Sequence, residues 1–123
     1  MVSASPATSL TALEREALQR AISTVKPEVW RDALIRQIEA LHVTSRTEKT
    51  AGYYVDFEVP LQLRVGDLPD EFNKSPPQAE ARHPDGMNAI FFVVYVKAGA
   101  LAFMEAASTA NWPKEEDRIV FTE

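Results

Sequence analysis

The sequence contains no cysteine. This excludes disulfide bonds, thiolate zinc sites, iron–sulfur clusters and cysteine nucleophiles together. Lack of cysteine is also what a reducing cytoplasm favours, and we expect a cytoplasmic protein. The first ten residues, MVSASPATSL, have neither the basic nor the apolar region of a secretory signal, and we interpret residues 1–8 as a flexible tail.

Glycine and histidine are also scarce, with four and two residues respectively. No glycine-rich phosphate loop and no Gly-x-Ser-x-Gly elbow is present, so we expect no nucleotide or other cofactor. His42 and His83 stand alone, without the close spacing of metal ligands, and we expect no metal site. No apolar run approaches the ~20 residues that span a bilayer, so we expect no membrane partner.

Basic residues are outnumbered, 13 against 18 acidic ones, which gives a net charge of -5. An acidic protein is repelled by phosphate backbones, so we expect no nucleic-acid partner. A basic protein partner remains open. The length of 123 residues predicts a single domain over residues 9–123.

Two amphipathic helices open this domain. Thr11 and Glu14 have the spacing of a capping box and predict the start of the first helix. We place Glu14 on the polar side of that helix, opposite an apolar stripe of Leu10, Leu13, Ala17, Ala21 and Val25. The second helix should begin near Pro27, because proline suits a first turn. Its apolar stripe consists of Trp30, Ala33, Leu34, Ile38 and Leu41.

Strands follow the helices. Alternation from His42 predicts a first strand, and Tyr53, Val55 and Phe57 predict a second one that ends at Pro60. Residues 61–65 predict a third strand. The run AIFFVVYV at 89–96 indicates a strand that is apolar on both faces. Gly99 supplies the positive φ of a tight turn before the returning strand 101–107, and 119–121 indicates a last strand.

These elements predict an α+β fold, in which an N-terminal two-helix hairpin packs on one face of an antiparallel sheet of about five strands. Two helices cover only one face of such a sheet, so a second apolar face needs cover. We predict a homodimer there, with the alternative that the loop 66–87 folds back over the sheet. The predicted apolar face consists of Phe91, Phe92, Tyr95, Phe103 and Met104.

Residues 66–87 form a long loop that holds Pro69, Pro76, Pro77 and Pro84. Long loops in small domains are often functional, and 78–82 could form a short strand or a turn of helix within this one. Its acidic character favours a basic partner surface. The predicted interaction residues are Asp67, Asp70, Glu71, Phe72, Glu80 and Arg82.

The candidate catalytic residues are His83, Asp85 and Glu105. His83 could act as a general base with Asp85 or another carboxylate as its partner. The sequence His83-Pro84-Asp85-Gly86 also has the composition of a β-turn, which we favour. Asp56 and Glu58 share one face of a strand, where they are typical of a solvated edge.

Three functions follow as hypotheses. The first is a non-enzymatic interaction or accessory protein that acts through the acidic loop and the apolar sheet face. The second is a small hydrolase or isomerase that uses His83 with nearby carboxylates. The third is a binder of a small apolar ligand, held by the many aromatic residues.

Three short pieces resemble a group of short bacterial proteins of unknown function. They are the segment 52–57 (GYYVDF), the hairpin 91–101 (FFVVYVKAGAL) and Trp112-Pro113, and together they span roughly residues 10–121. Such proteins tend to carry a glycine after the last hairpin's acidic residue, where this chain has Ala106. The resemblance implies a similar fold and no particular activity.

Overall fold

The structure is a computed structural model that describes residues 9–26, 28–66 and 70–122. It has two helices, α1 (Ala12–Ile22) and α2 (Glu28–Ala40), followed by a sheet. The strands are β1 (His42–Lys49), β2 (Gly52–Glu58), β3 (Gln78–Arg82), β4 (Ala89–Lys97), β5 (Ala100–Ser108) and β6 (Val120–Phe121). The predicted tail 1–8 and the predicted helix start at Pro27 lie outside the described residues.

The predicted α+β fold is confirmed, with one strand more than the expected five or so. All pairings are antiparallel, and the order across the sheet is β1-β2-β5-β4-β3-β6. The added strand is β3, within the proline-rich segment. It alternates exposed Gln78, Glu80 and Arg82 with buried Ala79 and Ala81, as a half-buried strand does.

The first helix begins at the predicted capping box. The Thr11 hydroxyl accepts a hydrogen bond from the Glu14 N–H at 3.1 Å, and the Glu14 carboxylate accepts one from the Thr11 N–H at 2.9 Å. Placing Glu14 on the polar side was wrong, because this side chain is only 1% exposed. The buried stripe of α1 therefore runs from Glu14 through Leu18 and Ile22.

The hairpin between β4 and β5 turns through Ala98 (φ 53°) and Gly99 (φ 76°). Two successive positive φ values define a type I′ turn, which matches the twist of the flanking strands. The buried Gln37 of α2 anchors this turn. Its amide donates to the Gly99 carbonyl at 3.0 Å and accepts from the Leu101 N–H at 2.9 Å, so α2 is fixed over the turn.

One strand prediction was wrong, and β5 carries an irregularity. Residues 61–63 form a short 3-10 helix, not a third strand, and Leu61 is 75% exposed. Tyr95 of β4 pairs with Phe103 of β5, and Val96 of β4 pairs with Leu101 of β5. Ala102 of β5 is therefore left unpaired in a bulge. The bulge places Leu101 and Met104 on the same, buried face, although plain alternation would separate them.

Gly52 lies where β2 meets β5. A Cβ atom at this position would lie 1.8 Å from the Ala106 carbonyl oxygen. Glycine therefore permits the close approach that joins the β1–β2 hairpin to the rest of the sheet.

The helices pack on one face of the sheet and enclose the hydrophobic core. This face receives Val55 from β2, Phe92 and Val94 from β4, and Met104 and Ala106 from β5, all fully buried. The opposite face carries half-buried apolar side chains, and no described element lies over it. Two layers thus meet in one core, and the second sheet face is left open.

Candidate functional site

The open face is the surface of the sheet that the helices do not cover. Its apolar part consists of Tyr54, Phe91, Val93, Tyr95, Phe103 and Ala107. Tyr95 and Phe103 stack with ring centroids 4.6 Å apart and planes 16° apart, and Tyr54 meets Phe103 edge-on at 6.1 Å. The three rings make an aromatic strip across β2, β5 and β4, so a contiguous apolar patch faces outward.

A charged pair lies within this patch. Lys49 of β1 forms an ion pair with Glu105 of β5, and its ammonium lies 4.4 Å from the centre of the Tyr54 ring. The hydrogen bond to Glu105 raises the pKa of Lys49. Glu105 therefore interrupts the apolar strand as an ion-paired carboxylate, with a cation–π contact beside it.

The five residues predicted as the apolar face lie on both sides of the sheet. Phe91, Tyr95 and Phe103 are on the open face. Phe92 and Met104 are fully buried in the core beneath the helices. Neighbouring residues of a strand point to opposite faces, so Phe91 and Phe92 cannot share one.

His83 and Asp85 lie in the loop between β3 and β4. The His83 ring accepts the Asp85 N–H at Nδ1, 3.1 Å away, and its Nε2 lies 3.0 Å from the Asn111 carbonyl oxygen. This arrangement places the proton on Nε2 and occupies both ring nitrogens with backbone groups. The Gly86 N–H donates to the His83 carbonyl at 2.9 Å, which closes a β-turn with Gly86 at φ 76°.

Asp85 serves this turn as a hydrogen-bond acceptor. The backbone and side-chain N–H groups of Asn88, together with the Met87 N–H, lower the pKa of Asp85 to about 2. A carboxylate with so low a pKa is a weak general base at neutral pH. These contacts are those of a loop-stabilising turn.

Glu105 lies far from His83. Glu105 pairs with Val93, whereas the strand before His83 ends with Arg82 opposite Ala89. Four residues of strand separate these positions, roughly 13 Å along β4, and β4 lies between β5 and β3. The structure thus brings His83 and Asp85 together and leaves Glu105 apart.

Metal ligands do not converge in the part of the chain that the structure describes. No group of three or more His, Asp or Glu side chains there is placed to hold an ion. Within the same residues, no helix is long and apolar enough to cross a membrane.

The predicted interaction residues of the 66–87 segment are dispersed. Asp67 lies outside the described residues, and Asp70 and Glu71 belong to a short 3-10 helix. Phe72 is buried against Trp30 of α2, with ring centroids 5.8 Å apart, and so contributes to the core. Glu80 and Arg82 are exposed on β3, at the margin of the open face.

A buried polar cluster that the sequence did not indicate lies between α1 and the sheet. We name Glu14, Arg46 and Tyr53 the buried trio. Arg46 of β1 donates to the two carboxylate oxygens of Glu14 at 2.6 and 2.9 Å, and the Tyr53 hydroxyl donates at 2.8 Å. The bidentate geometry ties the first turn of α1 to the first two strands.

Burial and hydrogen bonds together set the charge states of the trio. Burial raises the pKa of Glu14, but hydrogen bonds from Arg46, the Thr11 N–H and Tyr53 outweigh it, so the net pKa is lowered. Burial, followed by the charge of Glu14, raises the pKa of Tyr53. Glu14 is thus ionised and Tyr53 neutral at physiological pH, which suits a structural clamp.

Trp112 packs against one side of this cluster. Its ring meets Tyr53 edge-on at 5.4 Å, and its indole N–H donates to Glu116 at 2.7 Å. Among the described buried side-chain nitrogen and oxygen atoms, all have a hydrogen-bond partner. The trio is therefore satisfied, with no free group aimed at a ligand.

Two open grooves lie in the helical layer. One, about 480 Å³ in volume, runs along the exposed side of α1 and is lined largely by charged and polar side chains, Arg15 and Glu16 among them. The other, about 280 Å³, lies between Lys26, Trp30 and Phe72. Neither is an enclosed apolar cavity of the kind that holds a small apolar ligand.

Comparison of the chain with protein-family models, with curated proteins and with solved structures finds no match.

Proposed function

We propose that this chain is a non-enzymatic interaction protein whose open face binds another polypeptide. The observation that carries the proposal is the aromatic strip of Tyr54, Phe103 and Tyr95, which no described element covers. Contiguous apolar surface with a polar rim is characteristic of protein-binding sites. Tyr and Phe are also among the residues enriched there.

The rim of the open face supports the same function. Asp56 and Glu58 lie on β2, and Glu80 and Arg82 lie on β3, so charged residues flank the aromatic strip on both sides. A polar rim gives orientation and specificity to a contact whose centre is apolar. The partner is a second copy of the chain or another protein that matches these charges.

The contacts of His83 favour this function over catalysis. Both of its ring nitrogens are engaged by backbone groups, and Asp85 is held as a turn acceptor. A general base needs a free nitrogen that can reach the proton it removes.

Native mass spectrometry of protein purified gently from its own source tests the proposal. We expect the wild-type chain to carry the mass of a further polypeptide, and Phe103→Ser to lose it. The control is Val29→Ser, which removes a side chain that is 66% exposed on α2, away from the open face. This control should keep the added mass.

A bare wild-type monomer would overturn the proposal, as would loss of the added mass in the Val29 control. If circular dichroism shows that Phe103→Ser does not fold, Phe91→Ser replaces it, because Phe91 lies on the open face of the neighbouring strand β4.

A further inference from the structure

Asp85 and Gly86 form the one dipeptide of this chain in which glycine follows aspartate or asparagine. The other three glycines follow Ala51, Val65 and Ala98. This order of residues matters chemically, because glycine has no Cβ atom to shield its amide nitrogen from the side chain before it. An aspartate before a glycine is therefore a position at which a chain can attack its own side chain.

The reaction is a ring closure followed by hydrolysis. The Gly86 nitrogen attacks the side-chain carbon Cγ of Asp85, an N–Cγ bond forms, the amide proton passes to solvent, and one carboxyl oxygen leaves as water. Water then opens the cyclic imide. If it breaks the bond between this nitrogen and the main-chain carbonyl carbon of Asp85, the peptide link passes to the side chain and isoaspartate results. The product has the mass of the starting chain, so water is the only co-reactant.

Burial does not protect this dipeptide. Asp85 and Gly86 are both exposed in the loop between β3 and β4. Water therefore reaches the imide and its hydrolysis sites freely. Any protection of the dipeptide must come from the conformation and the hydrogen bonds of the loop.

The backbone of the turn keeps the reacting atoms apart. The Gly86 N–H donates to the His83 carbonyl at 2.9 Å, with Pro84 and Asp85 between them. Among the described residues other than glycine, only Ala98 has a positive φ, so the turn is of type I and not of type II. The ψ of Asp85 in such a turn is about 0°. This angle turns the Gly86 nitrogen towards the Asp85 nitrogen and away from Cβ, where the ring cannot close.

Three N–H groups hold the Asp85 carboxylate in place. Its Oδ1 accepts the backbone N–H groups of Met87 and Asn88 at 2.8 and 2.9 Å, and its Oδ2 accepts the Asn88 side chain at 2.7 Å. These bonds, those from Asn88 first, lower the pKa of Asp85 to about 2. The carboxyl group is therefore ionised at neutral pH, and an ionised carboxylate oxygen is a poor leaving group. Position and charge both oppose ring closure.

Asn88 joins the turn to the rest of the sheet. Its carbonyl accepts the His83 N–H at 3.0 Å, and its side-chain oxygen accepts the Thr109 hydroxyl at 2.9 Å. Loss of the Asn88 side chain would release the Asp85 carboxylate and loosen the loop from the residues that follow β5. Asn88 is thus a positioning residue, which acts on the dipeptide through Asp85.

We propose that Asp85–Gly86 is an isoaspartate-forming site which the turn between β3 and β4 holds in check, and which reacts only when this turn opens. Conversion makes the opening permanent. The Cβ atom of residue 85 joins the main chain, which lengthens the turn by one atom. The carboxylate moves to Cα, where it no longer matches the N–H groups of Met87 and Asn88.

Ageing of the full chain at neutral pH tests the site. Peptide mapping with electron-transfer fragmentation measures isoaspartate at each position. We expect isoaspartate to form at residue 85, at least about tenfold more slowly in the folded chain than in the same chain unfolded by guanidinium chloride. Asp85→Glu keeps the charge but would need a larger ring, so isoaspartate should disappear from its aged samples.

Two asparagine variants test the role of the turn. Asn88→Ala removes the side-chain bond to Asp85, and we expect isoaspartate at residue 85 to form at least about tenfold faster than in the wild type. The matched control is Asn73→Ala. Asn73 also bonds to β4, through the N–H and carbonyl groups of Val96 at the other end of the strand, so its loss should leave the rate at residue 85 unchanged.

If circular dichroism shows that Asn88→Ala does not fold, Thr109→Val takes its place, because it removes the hydroxyl that anchors Asn88. Equal rates in the folded and unfolded wild type would overturn the proposal, as would faster conversion at another aspartate. An equal rise in Asn73→Ala and in Asn88→Ala would also overturn it, because the reaction would then proceed from the globally unfolded chain.

Discussion

Tyr53 and Tyr54 are neighbours in β2 and point to opposite faces of the sheet. Each accompanies one carboxylate and one cation: Glu14 and Arg46 beneath the helices, Glu105 and Lys49 on the open face. In the buried trio, Arg46 supplies a planar fork, and the Glu14 carboxylate accepts four hydrogen bonds: two from Arg46, one from Tyr53 and one from the Thr11 N–H. The open pair uses a lysine point charge above a ring.

The difference lies in desolvation. Glu14 is 1% exposed and Arg46 26%, whereas Lys49 and Glu105 are 32% and 25% exposed. Water and salt screen the open pair, which therefore contributes little to folding. The trio is closed to water on the carboxylate side, so removal of one member leaves its partners uncompensated. One set of groups stabilises the fold, and the other lies on the open face.

Removal of the Glu14 charge should have the largest effect. Glu14→Gln leaves Arg46 without its counter-charge, and we expect the free energy of unfolding in urea to fall by about 3 kcal/mol. The matched control is Glu16→Gln, which breaks the exposed ion pair with Arg20 and should cost at most about 0.5 kcal/mol. Equal losses in the two variants would contradict the comparison.

Acid should remove the same contribution without mutation. The folded state lowers the pKa of Glu14. Its contribution is therefore present above the unfolded pKa of about 4.3 and is lost as pH falls through the folded pKa. Urea midpoints of wild type and Glu14→Gln should converge as pH falls below about 4. A constant gap at low pH would show that the charge is not the cause.

Arg46→Lys keeps the charge but removes the fork. It loses one of the two bonds to Glu14 and the bond to the Ser9 carbonyl, so we expect a loss of about 1.5 kcal/mol in the free energy of unfolding. The control is Arg15→Lys, at an exposed ion pair with Glu39, which should leave the free energy of unfolding almost unchanged. If Arg46→Lys leaves the free energy of unfolding unchanged, charge alone holds the trio together.

The open pair should have the smallest effect on folding. Lys49→Gln should change the free energy of unfolding by less than about 1 kcal/mol, and by less still at high salt. The measurement is made at low protein concentration, because association adds to apparent stability. A loss as large as that of Glu14→Gln would mean that both faces depend on buried charge.

Local sequence patterns predicted the helices and the hairpin turn. The capping box of Thr11 and Glu14 joins residues three positions apart, and the Gly99 turn depends on one residue's freedom at positive φ. Such signals are contained within a few residues, so the sequence alone is enough.

Burial of Glu14 could not be predicted in this way. Its partner Arg46 lies 32 positions further along the chain, and a single sequence carries no sign of that contact. The bulge at Ala102 is similar, because only the pairing with β4 shows that Leu101 and Met104 share a face. The sequence leaves residues 78–82 open between a short strand and a turn of helix, because prolines surround the five residues that form β3.

The pairing of β2 with β5 has a consequence while the chain is being synthesised. Gly52 and Ala107 are roughly 55 positions apart, so the inner edge of β2 waits unpaired while those residues are made. At about 5–20 residues per second, the wait lasts several seconds. Gly52 presents bare backbone at that edge throughout, and a nascent chain with an unguarded edge is open to wrong strand pairing. The glycine that lets the finished sheet close therefore lies on an edge that stays unpaired until β5 has been made.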